Sequence, residues 1–362
     1  MKIAILVGTR PNIIKAAPLW RALQGCAEVC LIHTGQHRDA DMSAVFFDDL
    51  GLPAPDVFLT GDSASPVRET AQIALELEPV LQAMRPDWVV VIGDVTSTLA
   101  GTLAAKQLGL RVAHVEAGLR SFDRRMPEEL NRVAVDHLAD LLFATEASAV
   151  ENLRSEGIAA ERVFLVGNVL IDTLIAVLPK AEKIDRGKFF AGAAEHAYAL
   201  CTFHRIANVD EPEGLMRVID LIERTVQYLP VIFPVHPRTV QKIRQHGLES
   251  RLFGNPAVWT LFPVCYSEMV CLMRNASLVI TDSGGIQEET TWLSVPCLTF
   301  RENTERPATV SHGTNTIISD LDPSTAEHQI ELLLAGKYKH GTVPPLWDGL
   351  AAKRIADILT QT

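Results

Sequence analysis

The stretch LVITDSGGIQEE, residues 278–289, passes from the strand-forming run Leu278 to Thr281 through Asp282, Ser283, Gly284 and Gly285 into a helical pattern. An apolar, β-branched run that ends in a glycine turn and opens a helix is the repeating unit of parallel sheets with crossover helices. Two glycines let backbone N–H groups come close to a pyrophosphate, the helix start attracts it, and a carboxylate one turn on, Glu289, can hold ribose hydroxyls. The turn is not a GxGxxG fingerprint, so it implies no dinucleotide.

The same rhythm runs outward in both directions. KIAILVG (2–8), EVCLIH (28–33), DWVVVIGD (87–94), RVAHVEAG (111–118) and LLFAT (141–145) alternate with longer helical patterns in the first half. A second series begins with AYALCTFH (197–204) and continues through PVIFPVH (230–236), VWTLF (258–262) and VPCLTF (295–300). Between them, Pro179 to Glu195 carries no strand pattern, which predicts an inter-domain hinge near residues 165–185. The chain therefore reads as two parallel α/β domains, 1–168 and 169–345, without a short internal repeat. Its 362 residues exceed the roughly 250–300 at which one hydrophobic core stops growing. Leu350, Ile355, Ile358 and Leu359 have helical spacing and predict a last helix within 346–362 that returns to pack on a domain.

The chain is 48% hydrophobic, yet no apolar run approaches the roughly 18–20 residues of a membrane helix, so a soluble cytoplasmic protein is expected. The start, MKIAILVGTRPN, reads as a first strand and its turn rather than a secretory signal. A net charge of −11 disfavours nucleic acid and anionic membranes as partners. Phosphate must then be caught by local basic groups and helix ends. The cysteines at 26, 30, 201, 265, 271 and 297 form neither CxxC pairs nor a zinc spacing, and read as reduced core thiols. No metal and no other cofactor is expected.

Ligands of open parallel sheets lie beyond the carboxyl ends of the strands, where this chain gathers its charged groups. After the first strand come Gly8, Thr9, Arg10 and Pro11, with Lys15 further on; this suits an anion, and a solvated Arg and Lys suits it equally. Gly93-Asp94 and Glu116-Ala117-Gly118 end two later strands, and two carboxylates facing one crevice can have one pKa raised by burial and mutual repulsion. The alternative is that they cap helices or pair with Arg120, Asp94 serving as N-cap near Thr96. In MPEELNR (126–132), Glu129 reads as helix-dipole stabilisation and Glu128 as an ion pair with Arg132 four residues on. His204-Arg205 and His236 follow successive strands, and two such histidines favour an acid, base or phosphate role for one; His37 after the second strand is a weaker case. Arg306, in a charged loop beside the glycine turn, is placed to meet phosphate, although an internal ion pair also accounts for that loop.

Taken together, GTRPxxIK, TGQH, GDxxST, HVEAGLRS, PEExNR, the strand-end HR, PVHP, TDSGGIQEE and TERP resemble the non-hydrolysing UDP-N-acetylglucosamine 2-epimerases, over residues 1 to about 320. The resemblance implies two Rossmann-like domains of the glycosyltransferase-B (GT-B) architecture with an active site between them, a C-terminal helix crossing back to the first domain, and a homodimer. It implies inversion of carbon 2 of UDP-N-acetylglucosamine by expulsion of UDP to 2-acetamidoglucal and re-addition, in the service of cell-surface polysaccharide synthesis. By the same resemblance Arg10, Lys15, Asp94, Glu116, Glu128, Arg132 and His204 line the reacting sugar and leaving group, with Arg205 beside them. Ser283, Gly284 and Gly285 hold the diphosphate, Glu289 the ribose, and Arg306 the pyrophosphate or sugar. Gln36, His37 and His236 mark a pocket where a second substrate molecule activates many bacterial members.

Three acidic positions of the family pattern are lost, at Asn12, at Ile206-Ala207 and at Ala308, and Asp39 stands where Gln is common. The first two bear on sugar recognition or on the closing of the cleft. The alternatives are therefore an epimerase of a related sugar such as a UDP-2,3-diacetamido uronic acid, a UDP-sugar hydrolase, a GT-B glycosyltransferase, and a non-catalytic nucleotide-sugar sensor.

Overall fold

The computed structural model describes residues 1–36, 40–61, 65–189, 197–235, 237–262 and 264–362; His37, Asp39 and His236 lie outside them. The chain divides into two compact units, Met1–Ala176 with Pro345–Thr362, and Val177–Pro344. The division falls inside the helix Val169–Ala181, eight residues later than the sequence boundary at 168 and within the hinge region read at 165–185.

The first unit carries a sheet of β1 (Lys2–Val7), β2 (Glu28–His33), β3 (Val57–Phe58), β4 (Trp88–Ile92), β5 (Val112–Ala117), β6 (Leu141–Ala144) and β7 (Val163–Leu165). Its order among the described residues is β3-β2-β1-β4-β5-β6-β7, with every pairing parallel. The run WVVVI of β4 is buried at every position, as expected of a parallel strand covered by helices on both faces. Ile73, Leu77 and Leu81 of the helix Pro66–Met84 and Ala100, Ala104 and Ala105 of the helix Thr96–Gln107 pack in one core with Val89 and Val91.

The second unit repeats the plan with β8 (Ala199–Thr202), β9 (Val231–Pro234), β10 (Val258–Leu261), β11 (Leu278–Thr281), β12 (Cys297–Thr299) and β13 (Asn315–Ile317), in the order β10-β9-β8-β11-β12-β13. The sequence reading missed β3, β7 and β13, strands of two or three residues; β12 is as short but was legible because Val295 and Phe300 extend its apolar run. In each sheet the strand order reverses once, between β1 and β4 and between β8 and β11. Ligands of open parallel sheets bind outside the carboxyl ends of the strands at such switch points, which singles out these two places.

The last helix, Ala351–Gln361, packs on the helix Arg10–Leu23 of the first unit. The Asp172 carboxylate accepts the N–H of Ala352 at 2.7 Å, which caps this helix, and the buried Trp347 indole donates to the Thr145 carbonyl at 3.2 Å. Cys201, Cys271 and Cys297 are buried, Cys30 and Cys265 half-buried and Cys26 exposed, all as free thiols. No helix among the described residues is long and apolar enough to cross a membrane.

Candidate active site

In the first unit the switch point is built around Gly8 after β1 and Gly93 after β4. A Cβ on Gly8 would lie 1.9 Å from the Ser97 hydroxyl, so only glycine lets this turn pass so close to the start of the helix Thr96–Gln107. The Asn12 amide fills the rest of the turn: its oxygen accepts from Gly8 N–H at 3.3 Å, Thr9 N–H at 3.2 Å and the Thr9 hydroxyl at 3.0 Å. Its Nδ2 donates to the Ile92 carbonyl at 2.9 Å, which ties the ends of β1 and β4 together. A glutamate there could accept the same bonds but could not donate to Ile92. Asn12 thus has a structural part in this turn.

Arg10 opens the helix with its guanidinium 5.2 Å from the centre of the Phe46 ring, a cation–π contact that aims a half-buried cation. Lys15 is buried and ion-paired with Glu116, which decides against a solvated lysine. Glu116 itself sits at a register shift between β5 and β6, with a φ of 74°. A β-bulge that adds one residue turns its side chain out of the strand's alternation, a device found next to functional sites.

Asp94 is ion-paired with Arg132, whose Nε lies 3.1 Å from the carboxylate, and the Asp94 carbonyl accepts from Asn131 at 2.8 Å. Asp94 is not a helix cap: the N-cap of the following helix is Val95, without a side-chain cap bond. Neither carboxylate pairs with Arg120, which is engaged with Asp136 and Glu156, each at 2.7 Å. The two therefore meet cations of their own. Glu129 is more than a dipole effect, because its buried carboxylate accepts from Ser121 N–H, the Ser121 hydroxyl and Phe122 N–H at 2.8–2.9 Å and pairs with Arg132. Arg132 thus pairs with Asp94 and Glu129 rather than with Glu128, which stands half-buried in the first turn of the helix Pro127–Leu138.

Behind these groups lies a fully buried chain that sequence reasoning missed. His114 places Nε2 2.8 Å from the Gly93 carbonyl and Nδ1 2.7 Å from Asp136, and Asp136 also accepts Gly118 N–H at 3.0 Å. Burial alone would push the Asp136 carboxyl up, but His114 and Arg120 outweigh it and hold it below the usual range. Gln36 also has a structural partner: its side-chain oxygen accepts the Ser97 N–H at 3.2 Å and the Ser97 hydroxyl at 2.7 Å.

In the second unit the switch point carries His204 and Arg205 after β8, and Asp282 and Ser283 after β11. Ser283, Gly284 and Gly285 are half-exposed at the start of the helix Gly284–Leu293, and the Ser283 N–H donates to the Thr281 hydroxyl at 3.0 Å. A Cβ on Gly284 would come within 2.7 Å of Glu305 and 3.6 Å of the Arg306 Nε. Glu289 is buried and accepts the Tyr266 hydroxyl at 2.7 Å. Arg306 is buried against Glu288 at 3.1 Å, and the internal pair of the charged loop is Arg301–Glu305 at 2.8 Å. Burial raises the Glu305 carboxyl, but Arg301, Arg306 and Arg205 together hold it well below the ordinary carboxylate range. No group of three or more His, Cys, Asp or Glu among the described residues is arranged to hold a metal ion.

Two Rossmann-like α/β units, each with its charged residues at the switch point, define a protein of the GT-B class. The family model for UDP-N-acetylglucosamine 2-epimerase matches residues 21–360, and the chain belongs to this family of isomerases. It is 42% identical to the UDP-N-acetylglucosamine 2-epimerase of Methanococcus maripaludis, over 99% of this chain and 98% of that one. It is 36% identical to the UDP-2,3-diacetamido-2,3-dideoxy-D-glucuronate 2-epimerase of Pseudomonas aeruginosa, over the full length of both. The crystal structure of the Methanocaldococcus jannaschii UDP-GlcNAc 2-epimerase in complex with UDP-GlcNAc and UDP superposes with a TM-score of 0.93 at 41% identity, covering both chains entirely.

Proposed function

We propose that this chain interconverts UDP-N-acetylglucosamine and its manno epimer. In this reading one carboxylate among Asp94, Glu116 and Glu128 removes the carbon 2 proton while the C1–O bond breaks. The bonding pair leaves on the β-phosphate oxygen, and C1 and C2 become doubly bonded in 2-acetamidoglucal. UDP then re-adds at C1 as a proton is delivered to the opposite face of C2. Inversion needs proton donors on both faces, which gives a reason for several acids where removal alone would need one. Arg10, Lys15 and Arg132 steady these carboxylates and the sugar. His204, Arg205 and Arg306, with Ser283 and the N–H groups of Gly284 and Gly285, take the diphosphate, and Glu289 takes the ribose.

The observation that carries this reading is the pair of ion-paired carboxylates, Glu116 with Lys15 and Asp94 with Arg132, at the switch point of the first unit. A glycosyltransferase or a sensor has no need of them. The substrate is supported by the M. maripaludis and M. jannaschii relatives at 41–42% identity. The Pseudomonas relative supports a second reading, a diacetamido uronic acid in place of the N-acetyl sugar. Incubation with UDP-N-acetylglucosamine, followed by NMR, separates them: the manno epimer is expected, and an unchanged substrate beside turnover of the uronic acid would favour the second.

A further inference from the structure

We propose that Asp282 is a positioning residue for His204, holding the imidazole with Nδ1–H toward its buried carboxylate and Nε2 turned outward to the diphosphate. The proposal rests on the reading of His204 as the residue that meets the leaving diphosphate, and it adds what orients that residue.

The geometry follows from the topology. β8 and β11 are neighbours, with Thr202 paired to Thr281, so the residues just past both strand ends meet at the switch point. There the Asp282 carboxylate is fully buried and surrounded by donors: His204 N–H at 3.1 and 3.2 Å to its two oxygens, Arg205 N–H at 3.0 Å and Asn208 Nδ2 at 3.0 Å. His204 Nδ1 lies 3.0 Å from the same group. Burial on its own would raise this carboxyl, but the charge and hydrogen bond of His204 and the bonds from Asn208 and Arg205 N–H lower it, so it is an ionised acceptor.

An ionised oxygen facing Nδ1 leaves one arrangement without opposed lone pairs, in which Nδ1 carries a hydrogen. The ring is then fixed at Nδ1 while 57% of the side chain stays exposed, and Nε2, across the ring, is the nitrogen assigned to the diphosphate. The same residue orients a second cation, because the Asp282 carbonyl accepts from Arg205 Nε at 3.1 Å. Asp282 thus arranges both His204 and Arg205 one residue ahead of the glycine turn. The plainer alternative is that it only anchors the turn from Phe203 to Asn208.

A double-mutant cycle with Asp282→Asn and His204→Asn decides between them. Asp282→Asn is expected to lower kcat about ten- to a hundredfold with KM within about threefold. In the His204→Asn background the same change is expected to cost less than about twofold, because the residue it positions is gone. A turn anchor would cost the same factor in both backgrounds, and that result overturns the proposal. If His204→Asn leaves kcat unchanged, the reading of His204 has failed and the proposal falls with it. Nitrogen-15 NMR of the unmodified protein, assigned against His204→Asn, gives a readout that does not depend on the folding of the Asp282 variant: Nδ1 of His204 is expected to be protonated, and a bare Nδ1 overturns the proposal.

Discussion

The ammonium of Lys15 is ion-paired with the carboxylate of Glu116, both side chains being more than nine-tenths buried, and Glu116 brings its half of the pair from a bulge at a φ of 74°. A non-glycine residue in the left-handed region costs of order 1–3 kcal/mol and persists where the surroundings over-determine it. Here they do: a Cβ on Gly93 would lie 3.2 Å from the Glu116 carboxylate, so the glycine clears the space that the carboxylate occupies.

Lys15→Met keeps the length of the side chain and removes its charge, leaving Glu116 buried without that cation. Breaking a buried pair by removing one partner typically destabilises by about 3–5 kcal/mol. We expect a loss of that order in urea denaturation, and a fall in kcat of at least about a hundredfold if Glu116 takes part in proton transfer. A variant whose kcat stays within a factor of three of the unmodified protein would show that turnover does not need the Lys15 charge beside Glu116.

The second unit makes a separable prediction. Gly285→Val puts a branched side chain where the N–H groups at the start of the helix Gly284–Leu293 must approach phosphate. Calorimetric titration with UDP should show binding weakened at least about a hundredfold, since several charge-assisted hydrogen bonds are lost together. Unaltered UDP affinity would move the diphosphate site elsewhere.

The sheets and the places of the carboxylates were legible because both depend on local pattern. Runs such as WVVVI mark buried strands, and a charged residue directly after a strand is placed at the sheet's carboxyl end whatever its neighbours. Partners were not legible, because they depend on strand order. Asp282 meets His204, 78 positions away, only because β8 lies beside β11, and Lys15 meets Glu116 across 101 positions. Glu129 was misread for a related reason. In the first turn of a helix a carboxylate has a sufficient local explanation, and nothing local reveals that the loop at Ser121 and Phe122 folds onto it. Asn12 was legible as a departure from the family pattern, but its bond to Ile92, 80 positions away, was not.

The buried chain of His114, Asp136 and Arg120 should be visible in the pH dependence of stability. A carboxyl depressed in the folded state adds stability above its unfolded value of about 3.9, and that contribution is lost as pH falls through the folded value. Asp136→Asn should therefore cost about 3–5 kcal/mol at neutral pH, with the gap to the unmodified protein narrowing below about pH 4. Urea melts of both proteins across this range check it. A gap that does not change with pH would mean that Asp136 is not held ionised by its partners.

The C-terminal segment should matter to the first unit although it follows the second in sequence. Trp347 is 2% exposed, and Asp172 caps the helix Ala351–Gln361. Trp347→Ala is expected to cost about 3–5 kcal/mol and Asp172→Ala about 1 kcal/mol. Thermal melts that leave Trp347→Ala indistinguishable from the unmodified protein would contradict the packing.

The route of inversion can be read from the hydrogen on carbon 2. If it leaves as a proton and another returns from a protein acid that has exchanged with solvent, epimerisation in deuterated water must place deuterium at carbon 2 of the product. If UDP departs as a free anion during the same step, a small amount of UDP with 2-acetamidoglucal should escape and accumulate on long incubation. The carboxylates then separate from the nucleotide site by their kinetics. Asp94→Asn, Glu116→Gln and Glu128→Gln should each reduce kcat by about 100- to 10,000-fold, the usual worth of positioned proton transfer, with UDP affinity nearly unaltered. Asp94→Asn also removes a charge from Arg132 and Glu116→Gln one from Lys15, so these two should lose stability as well, whereas Glu128→Gln should not. A product that retains its original hydrogen would rule out elimination and with it the role given to all three carboxylates.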